Sequence, residues 1–126
     1  MTISEAITQA NMLKPNSYAQ DIKLTWLSRI EAQIKKQIID THAYNDGETA
    51  VSFTQYDSST DTGTALIAGE PYDELYVLWL EAQIDYANEE YQKFNNSNAM
   101  FSSAYSEFER YYNRTHMPKG EKHVYF

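Results

Sequence analysis

The sequence predicts a mostly α-helical fold, a small bundle of about four helices with a long arm between the second and third and an extended C-terminal tail. Three observations carry that expectation. Apolar residues recur at steps of three and four over four separate segments. The stretch 41–70 drops that period and is rich in Thr, Ser, Asp and Gly. After Met117-Pro118 the chain ends in a short charged and aromatic run with no helical repeat. A length of 126 residues fits one domain spanning 1–126.

The first helix is expected over about 3–12, with Ile3, Ile7 and Ala10 on one face and Thr2 or Ser4 as its cap. Pro15 ends it, because the residue before a proline is pushed out of the α region. A second, longer helix follows over about 17–40, its apolar line running through Ile22, Trp26, Ile30, Ile34 and Ile38. The third is expected over about 71–94, opening on Pro71 and burying Leu75, Leu78, Trp79, Ala82 and Tyr86. Asn95-Asn96-Ser97 reads as a break. A fourth helix then covers about 98–115, with Phe101, Ala104, Tyr105 and Phe108 packing inward. Tyr111 and Tyr112 are adjacent, so both cannot face the core, and one is a candidate for a partner surface.

The arm, 41–70, holds two short apolar runs between turn-forming clusters and reads as a β-hairpin or an extended strap. Val51, Phe53, Tyr56, Leu66 and Ile67 are its candidate contacts. Two strands alone are barely stable in water, so the arm is expected to lie on the helices or on another molecule. The tail, 116–126, reads as a partner-binding element with Lys119 and Lys122 as steering charges and Val124, Tyr125 and Phe126 as anchors.

Composition narrows the function. The net charge of −8 is concentrated in 70–112, where nine acids face only Lys93 and Arg110. Such a chain repels phosphate backbones, which counts against reading its aromatics as a base-stacking platform. There is no Cys, and the three His do not pair at metal-binding spacing, so no cofactor or metal is expected. Nor is there a glycine-rich phosphate loop or a base placed to activate a serine, and an enzyme is not expected. Glu81, Asp85 and Glu89 recur every four residues, a row that reads as a solvated face or a contact with another subunit. No basic leader or membrane-spanning run is present, which points to a cytoplasmic place of synthesis.

The stretch PYDELYVLWLEAQIDYANEEYQKFNNSNAMFSSAYSEFERYYNRTHMP resembles the head–tail connector, or head-completion, proteins of tailed phages of Gram-positive bacteria. The order of helices, arm and tail is similar too. The resemblance implies a virion protein of the neck, assembled in the host cytoplasm. It implies a ring, typically of twelve copies, beneath the portal protein, with DNA passing through and not specifically bound. On that basis Lys119, Lys122, Val124, Tyr125 and Phe126 would grip the portal. The arm would face the channel or the tail-side partner, and Glu81, Asp85 and Glu89 would line the channel or a subunit boundary. A second reading is a small acidic protein that inhibits a nucleic-acid enzyme by mimicking DNA charge.

Overall fold

A computed structural model describes residues 1–119. It is mostly helical, with four helices in the order α1 (Ile3–Leu13), α2 (Gln20–Ile34), α3 (Glu74–Ala87) and α4 (Tyr91–Thr115). One π-helical turn, Lys35–Ile39, prolongs α2.

α1 starts where its sequence says it should. The Thr2 hydroxyl accepts from Glu5 N–H at 3.2 Å and the Glu5 carboxylate accepts from Thr2 N–H at 2.8 Å. This reciprocal cap satisfies two of the amides a helix leaves unpaired at its start. Ile3, Ala6, Ile7 and Ala10 form its buried face. In α2 the buried residues are Lys23, Leu24, Trp26, Leu27, Ser28, Ile30, Glu31 and Ile34, while Ile22 is 42% exposed. The expected apolar line is therefore rotated toward Leu24 and Leu27. The π turn inserts extra arc and brings both Ile38 and Ile39 inward.

α3 is the central element, packed against α4 most extensively and also against α1 and α2. It buries Leu75, Tyr76, Val77, Leu80, Ala82, Ile84 and Asp85. Full burial of such an apolar side chain contributes roughly 1.5–3 kcal/mol, so α3 supplies much of the core. Its start is Glu74, not Pro71, because Gly69–Tyr72 is taken up by a turn closed by Tyr72 N–H on Gly69 O at 2.8 Å. Tyr86, expected inside, is 57% exposed and meets the rings of Tyr91 and Phe94 edge-on.

The break between α3 and α4 falls at Asn88–Glu90, seven positions before the Asn-Asn-Ser cluster that suggested it. Glu89 adopts φ 60°, Glu89 N–H donates to Tyr86 O at 3.0 Å, and Glu90 N–H donates to Asp85 O at 2.9 Å. That pair of bonds is the Schellman ending, here with Glu where Gly is usual. α4 then runs unbroken through Asn95, Asn96 and Ser97: the two Asn are exposed, and buried Ser97 is hydrogen-bonded across to α3. Phe101 and Phe108 form its buried line as expected, joined by Tyr112, while Ala104 and Tyr105, also expected inward, are half-buried.

Candidate functional site

The arm does not form a hairpin. Among the described residues only two isolated bridges occur, Thr2 with Ala65 and His42 with Pro118. The second apolar run of the arm pairs with the start of the chain: Ile3 N–H donates to Thr64 O at 3.1 Å and Leu66 N–H to Met1 O at 3.0 Å. The first run is held by side chains. Val51 N–H donates to the Tyr44 hydroxyl at 2.9 Å, and Tyr56 N–H to Ser28 Oγ at 2.8 Å.

The strongest anchor is Glu31, a fully buried carboxylate on α2. The Tyr56 hydroxyl donates to Oε2 at 3.0 Å and Ile67 N–H to the same oxygen at 2.9 Å, while the Tyr76 hydroxyl donates to Oε1. Tyr76 in turn accepts from Ala68 N–H at 2.8 Å. One carboxylate thus ties α2, α3 and both runs of the arm. Burial pushes the Glu31 carboxyl up from its ordinary value, against the pull of the hydrogen bonds from Tyr76, Ile67 and Tyr56. Burial and the nearby Glu31 charge hold the Tyr56 and Tyr76 hydroxyls well above the usual tyrosine range.

A second knot joins the beginning of the arm to the end of α4. The His116 ring stacks on Tyr112 with centroids 3.8 Å apart, and its Nε2 lies 2.9 Å from Glu48 Oε2. His42 meets the other side of this cluster, with Nδ1 2.7 Å from Ile38 O and Nε2 2.8 Å from the Asn113 amide oxygen. Antiparallel to the arm, Ala43 N–H donates to Met117 O at 2.7 Å and Lys119 N–H to Thr41 O at 2.9 Å. Thr41–Ala43 and Met117–Lys119 therefore lie side by side, running in opposite directions. Between arm and α4 lies a cavity of about 230 Å³ lined chiefly by Tyr44, Glu48, Val51, Tyr111 and Tyr112.

These positions revise several expectations. Tyr56 and Leu66 are buried in the chain's own core, so they are anchors of the arm and not surfaces for a partner. Val51, Phe53 and Ile67 are half-buried against the body. Tyr112 is buried and Tyr111 stacks on Tyr72 at 4.7 Å, so neither ring stands free. The row Glu81, Asp85, Glu89 is no row. Asp85 is 1% exposed, bonded to Lys14 Nζ at 2.9 Å and to the Ser97 hydroxyl at 2.6 Å. Glu89 lies beyond the end of α3, and only Glu81 keeps a partly exposed place on it. The spacing was right for one helical face, but that face meets α1 and α4. Lys119 is exposed, while Lys122, Val124, Tyr125 and Phe126 lie outside the described residues.

Sequence reasoning missed Glu31 and Tyr76. A signal existed for the first: Leu27, Glu31, Ile34 and Ile38 fall on one line of α2, and a carboxylate inside an apolar stripe needs donors from elsewhere. Among the described residues no cluster of three or more His, Asp or Glu is arranged to hold a metal ion. What the arrangement does chemically is fix an otherwise unpaired strap to a helical body, leaving part of that strap exposed. No family model, curated protein or solved structure matches this chain.

Proposed function

We propose that this chain is a structural subunit of a tailed-phage neck, a head–tail connector that assembles as a ring beneath the portal, extends the DNA channel and joins head to tail. It acts without catalysis and without a cofactor. The observation that supports the reading is a helical body with a long arm strapped onto it and the root of the C-terminal segment paired against the start of that arm. The stretch resembling connector proteins is the one that supplies α3, α4 and the exit at Pro118. The buried Glu31 and Asp85 spend the core's polar groups on internal ties. Contacts with other molecules are left to the arm and to the basic C-terminal segment, with Lys119 at its root. The ring has twelve copies, as the resemblance implies, and DNA passes through it unbound.

The test is co-expression with the portal protein of the same particle. Co-purification and ring-shaped particles in negative stain are expected, with a mass that is a multiple of the chain and an association weakened by salt. A chain that remains monomeric and captures no portal refutes the reading.

A further inference from the structure

Residues 48–57 run without a turn or bend. The run is fixed at Val51 N–H and Tyr56 N–H, as described above. Between those points the backbone groups of Ser52, Phe53, Thr54 and Gln55 make no hydrogen bond among the described residues. Over 51–54 Val51 and Phe53 are half-buried while Ser52 and Thr54 are exposed, the alternation of a strand with one face on the body, which ends at exposed Gln55 and buried Tyr56. Val, Phe, Thr and Tyr also suit a strand. Beside it lies a trough of about 340 Å³, bordered by Ser52–Tyr56 on one side and by Thr64, Ala65 and Ile67 on the other. A straight run with unpaired amides next to an open trough is a template for strand addition.

We infer that this trough receives the C-terminal segment of a second copy of the chain as an added β-strand. Charge is the first argument. Residues 41–70 carry Asp46, Glu48, Asp57, Asp61 and Glu70 and no Lys or Arg, and Asp57 borders the trough. Lys119-Gly120-Glu121-Lys122-His123-Val124-Tyr125-Phe126 carries two lysines and a histidine against one acid, then three strand-forming residues. Arg29 borders a neighbouring cleft, with Thr25, Ser28 and Ala32, that shares Phe53 and Gln55 with the trough, and does not itself line the trough.

Length fits as well. The segment 120–126 has an extended reach of about 23 Å, and the open run Val51–Tyr56 needs about 20 Å by the same rise. The chain at Pro118–Lys119 is antiparallel to Thr41–His42, so it heads toward the end of α2. With a neighbour's arm as the recipient, the contact is heterologous, tail on arm, repeating from copy to copy. Contacts of that type close into rings when the rotation permits. Ring closure rests on the connector reading; the strand pairing itself stands or falls alone. By resemblance the segment would grip the portal, whereas its charge and length suit the arm of a neighbouring subunit.

Backbone amide exchange and mass measurement on the full chain test this, together with Thr54→Pro, a chain ending at Lys119, and the free peptide Lys119–Phe126. Thr54 N–H bonds nothing among the described residues, so proline there removes a backbone donor without breaking a hydrogen bond of the fold. The full chain is expected to self-associate, with alternate amides within 52–55, those on the edge that pairs, exchanging at least about tenfold slower in the assembly than in the dilute monomer. The peptide is expected to slow the same amides of the shortened chain and, in excess, to dissolve the full-length assembly. Thr54→Pro and the shortened chain are expected to stay monomeric with unchanged helix content. Assembly by either variant overturns the inference, as does a peptide that leaves those amides unaffected. So does a dilute full-length monomer whose amides are already protected, which would place the segment on its own arm. Portal capture by Thr54→Pro rings would keep the connector reading and remove this one; strand pairing without portal capture would do the reverse.

Discussion

Replacing Glu31 by Ala removes the acceptor for three buried donors, the hydroxyls of Tyr56 and Tyr76 and the amide of Ile67. Hydrogen bonds to a charged group contribute about 2 kcal/mol each, so roughly 6 kcal/mol of interaction disappears. Relief from burying a carboxylate without a cation returns several kcal/mol, roughly half of that sum. The net expected loss is about 3 kcal/mol, a large share of a stability that is normally 5–15 kcal/mol. Urea unfolding of mutant and parent measures it. Amide exchange locates it, because Ile67 and Ala68 are the arm amides that depend on this node.

The pH dependence of the same difference gives a stricter test. The Glu31 carboxyl is raised in the folded state, so the fold holds that proton more tightly than the unfolded chain does. Its contribution is fully present below the ordinary carboxylate pKa of about 4.5 and is lost as pH rises through the raised value. The gap between parent and Glu31→Ala should therefore widen on acidification. Other carboxylates titrate alike in both proteins and cancel. A gap below about 0.5 kcal/mol, the scatter of an ordinary surface substitution, would refute the reasoning, and so would a gap that narrows as pH falls.

Four further outcomes follow from the geometry. Asp85→Ala strands the Lys14 ammonium and the Ser97 hydroxyl and is expected to cost about 3 kcal/mol, read by thermal or urea unfolding; a neutral result would mean that Asp85 is not the tie it resembles. Glu89→Gly relieves a left-handed residue at the end of α3 and should stabilise by about 0.5–1 kcal/mol, whereas any loss would speak against the Schellman ending. Burial raises Tyr56 and Tyr76, and Tyr112 up to about 12, so their contributions are present below pH 10 and lost as pH rises through those values. An ultraviolet titration should then show phenolate formation coupled to loss of helix, not one transition near 10 in an intact fold. The Glu48 carboxyl is held low first by Asn45 N–H and then by His116. Its contribution should be present above the ordinary carboxylate range and lost as pH falls through the depressed value, and Glu48→Gln should remove that component from the acid unfolding curve.

The helices were legible because each obeys a local rule. Thr2 and Glu5 are a capping box on the page, and Phe101 and Phe108 lie seven apart on a single face. The α3–α4 boundary was not, because Asn95-Asn96-Ser97 carries a break signal that tertiary structure overrides: Ser97 finds Asp85, while Glu89 takes a backbone conformation that its side chain gives no reason to expect. Asp85 was misassigned for the same cause. Four-residue spacing places three acids on one face but does not say that Lys14 covers the middle one. The arm was read correctly as a strap in need of support, yet the support, Glu31, is visible only once residues 25 to 45 positions apart are brought together.

Those anchors bear on how such a strap would serve the proposed assembly. A free thirty-residue loop would have to be ordered at the moment of association, at about 1–2 kcal/mol per residue fixed. Here Tyr56, Leu66 and Ala68 are already seated in the core and Val51 is tied to Tyr44, so that entropy is settled on folding. Four residues between the ties keep their hydrogen-bonding edge open to solvent. A strand added there meets a preorganised partner and loses little beyond its own freedom. The fully buried carboxylate thus has a reason to persist despite its cost. Substituting Glu31 and Tyr56 together by apolar residues could recover stability while loosening Ser52–Gln55, and assembly should then weaken even where unfolding does not. Equal assembly by such a stable, loosened variant would show that preorganisation of the arm is not what the node supplies.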